Sequence, residues 1–129
     1  MKKLAFALLF TLGGCSTLGD IWNPPKFDNQ EYAAIVTLRQ AVQHKEMCAA
    51  EEQAGFAKLL MFKFEWLQEY SEFTSHNSDV YKISTTMKQE SEALLSRAET
   101  NPSEMYCEGK LKVMEQQLII LQKAVATKG

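Results

Sequence analysis

Residues 103–126 read SEMYCEGKLKVMEQQLIILQKAVA, and Cys107, Leu111, Met114, Leu118, Leu121 and Val125 recur along them at alternating spacings of four and three. That alternation returns a side chain to the same helix face about once per turn, so the stretch predicts an amphipathic helix with a narrow apolar seam. Just upstream, Asn101-Pro102-Ser103-Glu104 predicts its start, with Asn101 as N-cap, Pro102 in the first turn and Glu104 completing a capping box. A seam of this kind needs partner helices to cover it.

Three further helices are legible. Val80, Ile83, Met87, Leu94 and Ala98 mark a narrow seam with Ser84 and Ser91 beside it, entered from the polar turn Ser75–Ser78 with Asn77 or Ser78 as cap. Before it, Phe56 to about Phe73 is the most apolar element. On a helical wheel Phe56, Leu59, Leu60, Phe62, Phe64, Trp66, Leu67, Tyr70 and Phe73 cover about 200° at 100° per residue, with Lys63 inside the arc. Two accounts fit this arc. Neighbours pack the helix on two sides while Lys63 snorkels out; or part of the arc is a partner groove, with Phe62, Phe64, Trp66 and Tyr70 as anchors and Lys63 as a polar contact.

The first helix has a defined start. Asp28 is an N-cap and Glu31 three residues on completes a capping box, while Phe27 and Tyr32 stand at the spacing of a hydrophobic staple. Ile35, Leu38, Val42 and Ala49 follow at helical spacing, beside the small residues Ala34, Ala41 and Cys48, seven apart. Gly55 is the expected stop. No stretch reads as a strand, so the fold class is all-α.

The amino terminus carries a different signal. Lys2 and Lys3 precede a largely apolar run, Leu4 to Leu12, which suits a signal-peptide h-region and is too short for a permanent bilayer span. Leu12-Gly13-Gly14-Cys15 then resembles the lipobox of bacterial lipoproteins. The resemblance implies cleavage of residues 1–14 and lipidation of Cys15 by a diacylglyceryl thioether, with a further acyl chain on the new terminus. By resemblance to enterobacterial sorting, Ser16 in place of aspartate implies the outer membrane, with the chain facing the periplasm. Residues 15–27, holding Gly19, Asn23, Pro24 and Pro25, read as an extended tether reaching at most about 40 Å. Residues 28–129 are the helical domain. Trp22 in the tether rests at the membrane interface or on its own domain.

An exported chain meets an oxidising compartment, so Cys48 and Cys107 read as one disulfide. The competing reading is a metal site built on His44 and Cys48 with Glu51 and Glu108. Only two histidines and no Cys-x-x-Cys occur, so no metal and no other cofactor is expected. The disulfide also chooses between architectures. In an up-down-up-down four-helix bundle Cys48 and Cys107 lie at matching heights, joining helices one and four. The alternative is a three-helix form whose first helix runs through Gly55 over residues 29–73. It separates the two cysteines by roughly 12 Å along the axis and uncovers Ile35, Leu38 and Val42. The bundle is preferred.

Composition narrows function. The chain has 14 basic and 16 acidic side chains, and loss of Lys2 and Lys3 leaves 12 basic ones, so no basic face for nucleic acid or anionic lipid is expected. No nucleophile-base pair, phosphate loop or carboxylate cleft can be assembled, and no enzyme or small-molecule substrate is expected. Met47, Met61, Met87, Met105 and Met114 read as core filler. What remains is an adaptor held to the membrane by its lipid and binding a protein partner in the envelope. Lipobox, tether and four helices, with Cys48 late in the first and Cys107 early in the last, resemble the small pilotins of type II secretion systems. The resemblance implies capture of a partner helix. Two other classes compete: a phage lysis (outer spanin) or superinfection-exclusion lipoprotein, and a structural envelope lipoprotein whose aromatic arc is all core.

Overall fold

The computed structural model describes residues 26–128. Helices α1 (Asn29–Ala41), α2 (Ala50–Tyr70), α3 (Ser78–Thr100) and α4 (Glu104–Ala126) follow in order. A 3-10 turn, Lys45–Cys48, lies between α1 and α2, and a π-helical turn, Ser71–Ser75, extends α2. No strand occurs among the described residues. Cross-helix pairs give the directions. Tyr70 at the end of α2 meets Asp28 at the start of α1. Gln68 donates to Thr85 at 2.8 Å, tying α2 to α3. Arg97 stands 4.8 Å over the Tyr106 ring, tying the end of α3 to the start of α4. Gln122 donates to the Tyr32 hydroxyl at 3.1 Å, tying the start of α1 to the last turns of α4, and Arg39 reaches the same Gln122 at 2.7 Å. Each helix is antiparallel to the next and α4 returns beside α1. The up-down-up-down bundle is the fold.

The α4 heptad is all core, with Cys107, Leu111, Met114, Leu118, Leu121 and Val125 each buried. Facing it, α3 buries Val80, Ser84, Met87, Ser91 and Leu94. The two serines lie within the seam rather than beside it. Their hydroxyls donate to the Val80 and Met87 carbonyls at 2.6 and 2.8 Å, so neither is left unpaired. Small side chains there let α2 lay Leu60, Phe64 and Leu67 close against α3, and this is the most extensive pairing in the bundle.

Both ends of α1 differ from expectation in an informative way. At the start, Asp28 caps the helix by accepting the Glu31 N–H at 2.9 Å, and Phe27 packs on Tyr32 with ring centroids 5.3 Å apart. The capping box is only half made. The buried Glu31 carboxylate turns away to accept from Ser75 and from Asn77, joining α1 to the turn before α3. At the far end α1 stops at Ala41, not at Gly55. Gly55 is exposed inside α2, which runs through it without a break. The reason is geometric. Val42 and Cys48 are each 1% exposed, yet six residues put them about 120° apart on a continuous helix. Breaking the helix between them lets both face the core. The long first helix of the three-helix alternative is therefore absent.

The disulfide forms between Cys48 and Cys107, with Cα atoms 5.6 Å apart. It joins the 3-10 turn just ahead of α2, rather than the body of helix one, to the first turn of α4. At the α3–α4 junction the N-cap is Ser103, which accepts the Tyr106 N–H at 3.2 Å, and not Asn101. Asn101 precedes a proline and is extended (φ −154°, ψ 76°), which leaves it closing α3.

Candidate functional site

The broad apolar arc of α2 resolves into two adjoining stripes. Phe56, Ala57, Leu60, Phe64 and Leu67 form the core stripe. Phe64 is fully buried, so it is a core residue and not a partner anchor. More than a third of a turn round the helix from the centre of that stripe, Leu59, Phe62 and Trp66 are 46%, 71% and 47% exposed, and Phe73 beyond them is 72% exposed. Spacings of three and four residues keep Leu59, Phe62 and Trp66 on one line, and Phe73 follows on the π turn. Such a row of large apolar side chains in water is what a surface held for a partner looks like; scattered single ones are ordinary.

Tyr70 belongs to this row in a different role. Its hydroxyl donates to the Asp28 carboxylate, with 2.9 and 3.0 Å to the two oxygens, and its ring stacks on Trp66 at 4.9 Å between centroids. Burial, and then the Asp28 hydrogen bond and charge, push the Tyr70 hydroxyl above its ordinary value. Tyr70 is thus the buttress that holds Trp66 rather than a free anchor.

Between α1 and α2 runs a cleft. One part, of about 360 Å³, is bordered by Ala34, Thr37 and Leu38 of α1 and by Lys63 and Trp66 of α2. Thr37 also borders the next part, of about 400 Å³, which continues past Ala41 to Phe56 and Leu59. The small residues Ala34 and Ala41, seven apart, leave this space open. Lys63 forms no ion pair among the described residues, and its position on the cleft wall frees it to meet an acidic group.

Of the residues expected at a partner surface, Lys63 and Trp66 border the cleft, Phe62 is exposed on the same face as Trp66, Tyr70 stacks on Trp66 and Phe64 lies in the core. Leu59 and Phe73, and the α1 wall, were not singled out. The phase of the exposed row within the arc was the available signal for the first two. Met105 is 83% exposed and is not core filler, whereas Met87 and Met114 are core.

No group of His, Cys, Asp and Glu that could hold a metal occurs among the described residues. Cys48 is consumed by the disulfide, and His44 pairs with Glu46 at 2.8 Å. No helix among the described residues is long and apolar enough to cross a membrane. Cys15, the signal segment before it and most of the tether lie outside the described residues. No protein-family model matches this chain, and comparisons with curated proteins and with solved structures return no match.

Proposed function

We propose that this chain is a lipid-anchored adaptor that captures an amphipathic helix of an envelope protein along the α1–α2 cleft. The observation that carries the reading is the exposed row Leu59, Phe62 and Trp66 beside a cleft walled by small residues on α1. A helix laid there presents apolar residues at i, i+3 or i+4, and i+7 to that row, and an acidic residue to Lys63. The row also bears on the structural alternative, since a bundle without a partner has no need to leave these side chains in water. The lipobox resemblance supplies the anchor at Cys15 and the outer-membrane address facing the periplasm. In this reading the protein is no enzyme, needs no cofactor and binds no nucleic acid. The pilotin resemblance is one instance of the same activity.

Photo-crosslinkers placed at Phe62 and at Trp66 in intact cells test it. Both positions should trap one envelope protein through a helical segment, while Val113 on the outer face of α4 should not. If the Phe62→Ala, Trp66→Ala double variant stays folded and still holds that protein with unchanged affinity, the proposal fails.

A further inference from the structure

The described chain begins at Lys26, eleven residues after Cys15, and it enters at one particular end of the bundle. That end gathers the start of α1, the π-helical turn after α2, the cap of α3 and the last turn of α4. The Tyr70–Asp28 and Ser75–Glu31 hydrogen bonds draw the first two together, and Lys128 lies 3.8 Å from Asp79 across the others. Two large aromatic side chains stand out from it: Phe27 on the entering chain, 40% exposed, and Phe73 on the π turn, 72% exposed. Phe73 lies on the π turn at this end, just before the chain reverses at His76, whose φ is 53°. Charge at this end is mixed, with Lys26 and Lys128 set against Asp28, Glu72 and Asp79.

We propose that this end of the bundle rests on the bilayer that holds the lipid, with Phe73 and Phe27 inserted at the headgroup level as interfacial contacts. The inference rests on the lipidation of Cys15. That anchor brings the tethered end to within about 40 Å of the surface at most, so two exposed aromatics meet the membrane at high effective concentration. Phenyl rings gain by leaving water for the headgroup–acyl boundary, where they have no polar group to leave unpaired. Since no basic excess is present, the contact is apolar and holds on zwitterionic lipid and in high salt alike. Seating of this kind stands the four helices upright. It points the α1–α2 cleft sideways along the membrane, with the Cys48–Cys107 end outermost.

The full lipidated chain, reconstituted in phosphatidylethanolamine–phosphatidylglycerol vesicles, provides the test. In a background of Trp22→Phe and Trp66→Phe, a single reporter is placed by Phe73→Trp, or at the opposite end by Met105→Trp. Lipids brominated on the upper acyl chain should quench the reporter at 73 at least about twofold more than the one at 105, because the two ends stand about 30 Å apart along the helices. Raising the salt should not change the ratio. Equal or absent quenching at the two sites, with far-UV circular dichroism unchanged, overturns the seating. So does a reporter at 73 that is shielded only when the chain is concentrated, which assigns Phe73 to a second copy. Mass spectrometry of the same preparation separates the two readings. An unmodified Cys15 defeats the anchor itself, whereas a lipidated Cys15 with an unquenched Phe73→Trp defeats the seating alone.

Discussion

The side-chain amide of Gln53 donates to the carbonyl oxygen of Cys48 at 2.6 Å, and neither residue reaches solvent. One buried bond from the first turn of α2 thus closes over the 3-10 turn that delivers Cys48 to Cys107. The other amide atom, Oε1, has no hydrogen-bond partner among the described residues, so the bond to Cys48 is the one its side chain makes there. Gln53→Ala leaves the Cys48 carbonyl unpaired and opens a void. It should cost about 2 kcal/mol in urea unfolding.

Cys48 and Cys107 close a loop of 59 residues in sequence separation. Reduction, or replacement of both by alanine, should lower stability by about 4 kcal/mol with little change in the native helical signal at low denaturant. Urea titrations with and without reductant measure the difference. An unchanged midpoint would count against the bridge as a stabilising element.

The split of the α2 arc predicts opposite outcomes for neighbouring aromatics. Phe64→Ala empties a fully buried site and should cost about 3–5 kcal/mol. Trp66→Ala gives up an exposed stack on Tyr70 and should cost no more than about 1 kcal/mol while weakening partner capture. Thermal and urea unfolding of the two variants, side by side, distinguish core from binding face.

Glu31 sets a pH dependence. Burial raises its carboxyl above the ordinary glutamate range, helped by the Asp28 charge and opposed by hydrogen bonds from Ser75 and Asn77 and by the Lys128 charge. The folded protein therefore holds this proton more tightly than the unfolded chain. Stability from this group is fully present below the ordinary glutamate value and is lost as pH rises through the raised one. Glu31→Gln removes that slope, so its stability relative to the native sequence should climb as pH rises above the ordinary glutamate value and through the raised one. A constant difference across that window would refute the assignment.

The close approach of α2 and α3 depends on Ser84 and Ser91 staying small. Ser84→Leu puts three more carbons in place of a hydroxyl at a fully buried seam position, and should destabilise by about 1–3 kcal/mol despite its better helix propensity. Ser84→Ala should be nearly neutral, because the hydroxyl it removes bonds only within its own helix.

Local order was legible in the sequence because it is written at short range. Heptads, the Asp28 cap, the Phe27–Tyr32 staple and the Asn77 cap each lie within about a turn of what they specify, and an even pair of cysteines needs only a count and a compartment. Together they determined an all-α chain of four helices closed by one bridge. Three matters needed the tertiary structure. The end of α1 depends on bringing Val42 and Cys48 into the same core, a demand set by Cys107 more than fifty residues away. Glu31 leaves its own cap because Ser75 and Asn77 are delivered by a different turn. The apolar arc of α2 is equally hydrophobic on both its stripes, and only the placement of α3 decides that Phe64 is enclosed while Phe62 and Trp66 face water. Hydrophobicity states that a side chain should leave water; which neighbour covers it is a property of the assembled bundle.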